Sequence, residues 1–242
     1  MSFQPLDPSF YIYFLSEKAL TIEFGKVIDE NTFKRITAFN LLLQANPFTG
    51  FKTSVAAYTT LTIYYDPLIV AYSSLKGINC FDKVGNYLIE LNRDVIETVP
   101  VKPYRITIPM CYGGKFGPDL SLIAEQNHLN ITEVIKLHSA AIYKVHMIGF
   151  VPGFAYMGGM DEKLATPRKS VPRAAIPAGS VGIAGNQTGI YPLVTPGGWQ
   201  ILGQTPLQLF NIDRLQPALL KAGDEVVFKA IDNQEFEYLA RT

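Results

Sequence analysis

The chain of 242 residues carries 21 basic and 21 acidic side chains, giving a formal net charge of zero, with 17% charged residues and a mean hydropathy of +0.14. That balance leaves no global field to draw nucleic acid or an anionic membrane, so any steering of a ligand must be local. Its two cysteines, Cys80 and Cys111, have no short spacing; they support neither a disulfide framework nor a zinc site and read as free thiols of a reducing, cytoplasmic compartment.

The first residues lack a basic segment ahead of an apolar one and do not read as a signal peptide. Two apolar-rich strands, 10–15 and 19–24, flank Ser16-Glu17-Lys18 and predict an opening hairpin. Asp29 then caps a helix in which Phe33, Ile36, Thr37, Asn40, Leu41 and Gln44 recur at helical spacing, and Asn46-Pro47 stops it. Further β-rich runs at 52–58 and 60–65 end at Asp66-Pro67, and a helix over 81–93 turns Val84, Leu88 and Leu91 inward. This pattern predicts a small α+β domain over residues 1–99.

Pro100 and Pro103 mark the boundary to a second domain over 100–242, which opens with a strand at 104–109. Asp119 is placed to cap a short helix reaching Asn127, and Asn130-x-x-Glu133 reads as a capping box for a helix ending near His138 and Ser139. Beyond Ala141 short apolar runs at 142–148, 180–184, 199–203 and 225–229, separated by turn residues, predict a barrel or sandwich. The stretch 174–212 contains no Asp, Glu, Lys, Arg or His, yet its many Gly and Pro forbid a membrane helix.

The three histidines, His128, His138 and His146, lack metal-ligand spacing. His138, in the last turn of a predicted helix, is expected to act as a C-terminal cap whose charged form the macrodipole favours. No phosphate-cradling G-x-x-x-x-G-K-[ST] motif occurs. More content lies in Arg168, Lys169 and Arg173, three cations on a proline-stiffened loop beside the uncharged stretch. Such a loop is either a solvated basic face or a clamp for a carboxylate or phosphate. Phe150, Pro152, Phe154 and Tyr156 interleave aromatics with turn formers and suit either a pocket loop or a core cover, while Gln187, Thr188, Tyr191 and Gly197-Gly198-Trp199 offer polar groups and tight turns without charge.

Five ordered blocks carry a resemblance: Pro109-Met-Cys-Tyr-Gly-Gly-Lys-Phe-Gly-Pro-Asp-Leu120, Gly149-Phe-Val-Pro-Gly-Phe-Ala-Tyr156, Pro167-Arg-Lys-Ser-Val-Pro-Arg173, 177–192 and Pro196-Gly-Gly-Trp199. Together they resemble the allophanate hydrolase subunit 1 family, over nearly the whole chain. The sequence departs from the family at Ala155, often Pro, and at Gln204, where Arg is usual. The resemblance implies an α+β domain followed by a cyclophilin-like β-barrel. It further implies the B component of a 5-oxoprolinase, working with separate subunits A and C to convert 5-oxo-L-proline to L-glutamate at the expense of ATP, with or without Mg, held on this chain or at a partner, and inactive alone. Two other activities occur in the family: inhibition of a sensor histidine kinase, which would use the loop 150–156, and half of a biotin-dependent carboxyltransferase, for which this chain has no Met-Lys-Met biotinylation motif. On the first reading Arg168 and Arg173 bind a carboxylate or phosphate, Tyr112, Gln187, Thr188 and Tyr191 orient the ligand, and Gly197, Gly198 and Trp199 shape the pocket. No catalytic residue and no metal ligand are assigned.

Overall fold

The computed structural model describes residues 2–3, 10–93 and 104–241, so the boundary at Pro100 and Pro103 lies outside the described residues. The main chain divides into two compact units, 1–102 and 103–242.

The first unit begins with β1 (Ser2–Phe3), β2 (Tyr11–Ser16) and β3 (Ala19–Glu23). Helix α1 (Glu30–Ala45) starts where the Asp29 carboxylate accepts the Thr32 N–H at 2.7 Å, giving a partner to an amide that the first helical turn leaves unpaired. Its buried stripe runs through Phe33, Ile36, Phe39 and Leu43, whereas Leu41, expected on the inner face, is half exposed. Strands β4 (Phe51–Ala56) and β5 (Thr60–Tyr65) follow. Strand β5 stops at Asp66-Pro67 as expected, and a short helix not expected from the sequence, α2 (Pro67–Ala71), starts there: Asp66 accepts the N–H groups of Leu68 and Ile69, and the fixed φ of Pro67 suits a first helical position. Helix α3 (Cys80–Arg93) buries Val84, Leu88 and Leu91 as its spacing predicts. The sheet is antiparallel in the order β1-β2-β3-β5-β4. Alternation sends Ile12, Leu20, Ile22, Leu61 and Ile63 into one core with Phe39, Leu43 and Leu88.

The second unit runs β6 (Arg105–Tyr112), α4 (Leu120–Gln126), α5 (Ile131–Ala140), β7 (Tyr143–Ile148) and β8 (Ala155–Gly158). It continues with β9 (Arg173–Ile176), β10 (Ser180–Ala184), β11 (Gln187–Ile190), β12 (Thr195–Gly197), β13 (Gln200–Gln204), β14 (Glu225–Ile231) and α6 (Asn233–Leu239). Seven strands close a barrel in the order β10-β11-β8-β7-β14-β6-β13, and β9 pairs with β12 as a separate ribbon. The capping box at α5 forms in both directions, Asn130 accepting from the Glu133 N–H and Glu133 accepting from the Asn130 N–H.

The barrel is filled by Met110, Val145, Met157, Val181, Ile183, Ile190, Leu202 and Phe228, among others. A second apolar cluster comprises Phe154, Ile176, Ala184, Tyr191, Trp199 and Ile201. Adjacent strand residues point to opposite faces, so Ile201 joins this second cluster while Leu202 enters the barrel. Strand β10 is buried at every position and β13 at all but its last. Strands covered on both faces have no position for an unpaired ion, which accounts for the missing charges within β10 and β13; the exposed positions of 174–212, Val194 and Ile212 among them, are uncharged without that cause.

His138 departs from its expected role. It is fully buried inside the barrel, with Nδ1 2.8 Å from the Tyr112 hydroxyl, Nε2 3.5 Å from Thr188 Oγ1 and its ring 4.7 Å from that of Phe228. Burial pushes its pKa down to about 3, so the ring is neutral rather than a charged cap. The unfolded side chain, by contrast, takes up a proton near pH 6.5. The group therefore contributes stability above about pH 6.5 that is lost as the pH falls towards about 3. Denaturant unfolding at pH 7 and pH 5 should show the natural chain losing up to about 2 kcal/mol more than His138→Gln; equal losses would remove His138 as the cause.

Candidate functional site

The cationic loop 167–173 lies against the turn joining β12 to β13. Lys169 N–H donates to the Gly198 carbonyl at 2.7 Å, and Gln200 Nε2 donates to the Pro167 carbonyl at 3.1 Å. At the start of β9, Arg173 sits opposite Gly197 of β12. A Cβ at Gly197 would collide with the Tyr191 hydroxyl and come within 2.7 Å of Ile176 Cδ1, so this turn closes only on glycine.

One carboxylate organises the face. Asp119 Oδ1 accepts Arg173 Nη2 at 2.7 Å and Lys169 Nζ at 3.3 Å, while Oδ2 accepts the Ile201 N–H at 2.7 Å. Asp119 stands at the N-terminus of α4 as the sequence suggests, but its side chain makes no capping bond. It turns to the cations instead. Burial alone would raise its pKa; the bonds from Arg173 and Ile201, with the charges of Arg173 and Lys169, outweigh that and hold the carboxyl below its usual range. A second close approach sets this position, since a Cβ at Gly117 would collide with the Leu202 carbonyl.

Arg168 is exposed and its guanidinium carbon lies over the Trp199 ring, 5.8 Å from the centroid. Beneath it Phe154 meets Tyr156, Tyr191 and Trp199 with ring centroids 4.6, 5.0 and 5.5 Å apart. Tyr191 is buried, and burial pushes its pKa up to about 12 despite a hydrogen bond from the Trp199 backbone N–H and the nearby charges of Arg168 and Arg173. Phe150 packs edge-on against Phe154 at 5.6 Å, is 60% exposed and has a φ of 67°, a left-handed backbone that costs a non-glycine residue energy. Pro152 is exposed beside it.

Arg168, Arg173, Tyr191, Gly197, Gly198 and Trp199 thus come together, with Phe150, Phe154 and Tyr156 joined through the aromatic cluster. Tyr112 and Thr188, expected to orient a ligand, do not join them. Their hydroxyls meet His138 inside the barrel, and Thr188 also donates to the Gly182 carbonyl at 3.0 Å. Gln187 opens β11 opposite Ala184, half-buried. Sequence spacing presents Asp119 only as a cap. The signal pointing to its second use is the cation cluster: three positive charges beside an uncharged wall call for a counter-ion from elsewhere in the chain. Among the described residues, no group of three or more His, Cys, Asp or Glu side chains could hold a metal ion, and no helix is long and apolar enough to cross a membrane.

Asp119→Asn should lower stability by about 3 kcal/mol in denaturant unfolding, because it leaves two partly buried cations facing a neutral amide. The double replacement Asp119→Leu with Arg173→Met should recover part of that loss; a double variant weaker than the sum of its parts would contradict the ion-pair account.

A family model described as carboxyltransferase domain, subdomain C and D, matches residues 10–220. A Bacillus subtilis (strain 168) protein, named as the B component of 5-oxoprolinase, is 44% identical over 223 residues, covering 92% of this chain and 93% of that protein. The Escherichia coli O157:H7 protein of the same name is 53% identical over 123 residues, covering 51% of this chain and 56% of its own length. Among solved structures, the K. lactis urea amidolyase aligns over all of this chain and 16% of its own with a TM-score of 0.77 at 18% identity, which speaks to the fold alone.

Proposed function

The chain belongs to the carboxyltransferase domain, subdomain C and D, family, and from that membership we propose that it is the B component of an ATP-dependent 5-oxoprolinase, acting with separate subunits A and C to convert 5-oxo-L-proline to L-glutamate. The observation that carries this reading is the 44% identity to the Bacillus subtilis protein across nearly the full length of both chains. A five-membered lactam is a stable amide, and ATP supplies the driving force its opening needs at neutral pH.

The cationic face does not fit a triphosphate. Two of its three cations, Lys169 and Arg173, are already held by Asp119, and polyphosphate binding calls for several converging donors. We therefore assign ATP, with any Mg, to a partner subunit and the organic substrate to this chain. The isolated chain is inactive on this reading, and it works in the cytoplasm, where the free thiols of Cys80 and Cys111 stay reduced.

The deciding measurement is 5-oxoproline-dependent ADP and glutamate release by this chain combined with candidate subunits A and C, each omitted in turn. Activity that needs all three is expected. Full activity without this chain, or none from the complete folded mixture, would reject the assignment.

A further inference from the structure

We propose that the Arg168 face is a carboxylate-binding site, with Arg168, and not Lys169 or Arg173, as the residue that contacts the carboxylate. The three cations of this face are not equivalent. Asp119 takes up Lys169 and Arg173 and fixes them to β13 through the Ile201 N–H. Arg168 has no carboxylate partner among the described residues; it is exposed and rests over Trp199. A guanidinium held against an aromatic face keeps its N–H edges free for the paired hydrogen bonds that a carboxylate accepts. Arg173 Nη1 is buried without a hydrogen-bond partner and keeps the wall behind Arg168 positive.

The same arrangement favours a carboxylate over phosphate. With Lys169 and Arg173 engaged by Asp119 at 3.3 and 2.7 Å, Arg168 offers one pair of donors, enough for one carboxylate and short of the several converging donors that phosphate binding calls for. Beneath Arg168 the buried Trp199 and the half-buried Tyr156, whose ring centroids are 5.8 Å apart, add no further charge. That the ligand is 5-oxo-L-proline, a carboxylate on a small uncharged ring, rests on the proposed function.

Trp199 is the one tryptophan of the chain, so its fluorescence reports on the site directly. The full chain is titrated with 5-oxo-L-proline, with 2-pyrrolidinone, which has the same ring without the carboxylate, and with inorganic phosphate. In parallel, KM and kcat for 5-oxo-L-proline are measured with the complete three-subunit mixture containing either the natural chain or Arg168→Gln. A saturable Trp199 response to 5-oxo-L-proline alone is expected, together with a KM raised about ten- to a hundredfold in Arg168→Gln at nearly constant kcat. Equal responses to phosphate or to 2-pyrrolidinone would overturn the carboxylate site. An active complex whose KM ignores Arg168→Gln would overturn it too, while leaving the oxoprolinase reading intact. Conversely, if the complex is inactive on 5-oxo-L-proline while this chain still binds that molecule through Arg168, the oxoprolinase reading ends and the site stands. Circular dichroism and unfolding of Arg168→Gln exclude a folding defect.

Discussion

The Asp119 carboxylate ties together pieces of chain that are far apart in sequence: the turn leading into α4, the loop 167–173 and strand β13. Each of its oxygens has charged or backbone partners, which is the condition under which a buried ion is tolerated at all. The arrangement is strict in both directions. Without the cations the carboxylate would be driven to its neutral form; without the carboxylate, Lys169 and Arg173 would press like charges together beside an apolar wall. The placement of Arg168 over Trp199 is tied to this clamp through the next residue, Lys169, whose Nζ bonds Asp119 and whose N–H bonds the Gly198 carbonyl.

The uncharged stretch is the other half of the same design. Strands β10, β11 and β13 separate a barrel interior from the aromatic cluster around Phe154, and they can supply shape but no charge. Charge therefore has to arrive from loops that border them. Gly197 lets the β12–β13 turn lie on the Tyr191 hydroxyl, and Gly117 lets the α4 entry press on β13. Two glycines thus set the distances at which cations, carboxylate and aromatic wall meet.

Much of this is legible from sequence where the cause is local. The Asp29 cap, the Asn130 and Glu133 box and the inner face of α3 each depend on residues a turn or two apart, and each stands as expected. Helix α2 escapes such a reading because Asp-Pro ends the strand whether or not a helix follows, and the residues downstream decide whether one does. The site is legible in part: Arg168, Arg173, Tyr191 and Trp199 do meet. Asp119 is hidden because a carboxylate ahead of a helix has two uses, and the second needs partners 50 and 54 residues away. His138, Tyr112 and Thr188 lie in three separate segments, and no spacing rule announces that a barrel will close around them.

The order of strands around the barrel also sets a timetable. Strand β6 opens the second unit, yet its neighbours are β13 and β14, and the pairing with β14 reaches from Arg105 to Glu225, a separation of 120 residues sealed by an ion pair of 2.6 Å. On a ribosome β6 emerges with both edges unpaired and stays so until β13 and β14 have been made, about a hundred residues later. The closing contacts are nonlocal, and the loop entropy they must overcome makes barrel closure slow compared with the hairpins of the first unit. In the interval, a strand with two open edges is exposed to any other chain nearby, so the same topology that yields an edgeless barrel carries an aggregation hazard until it closes.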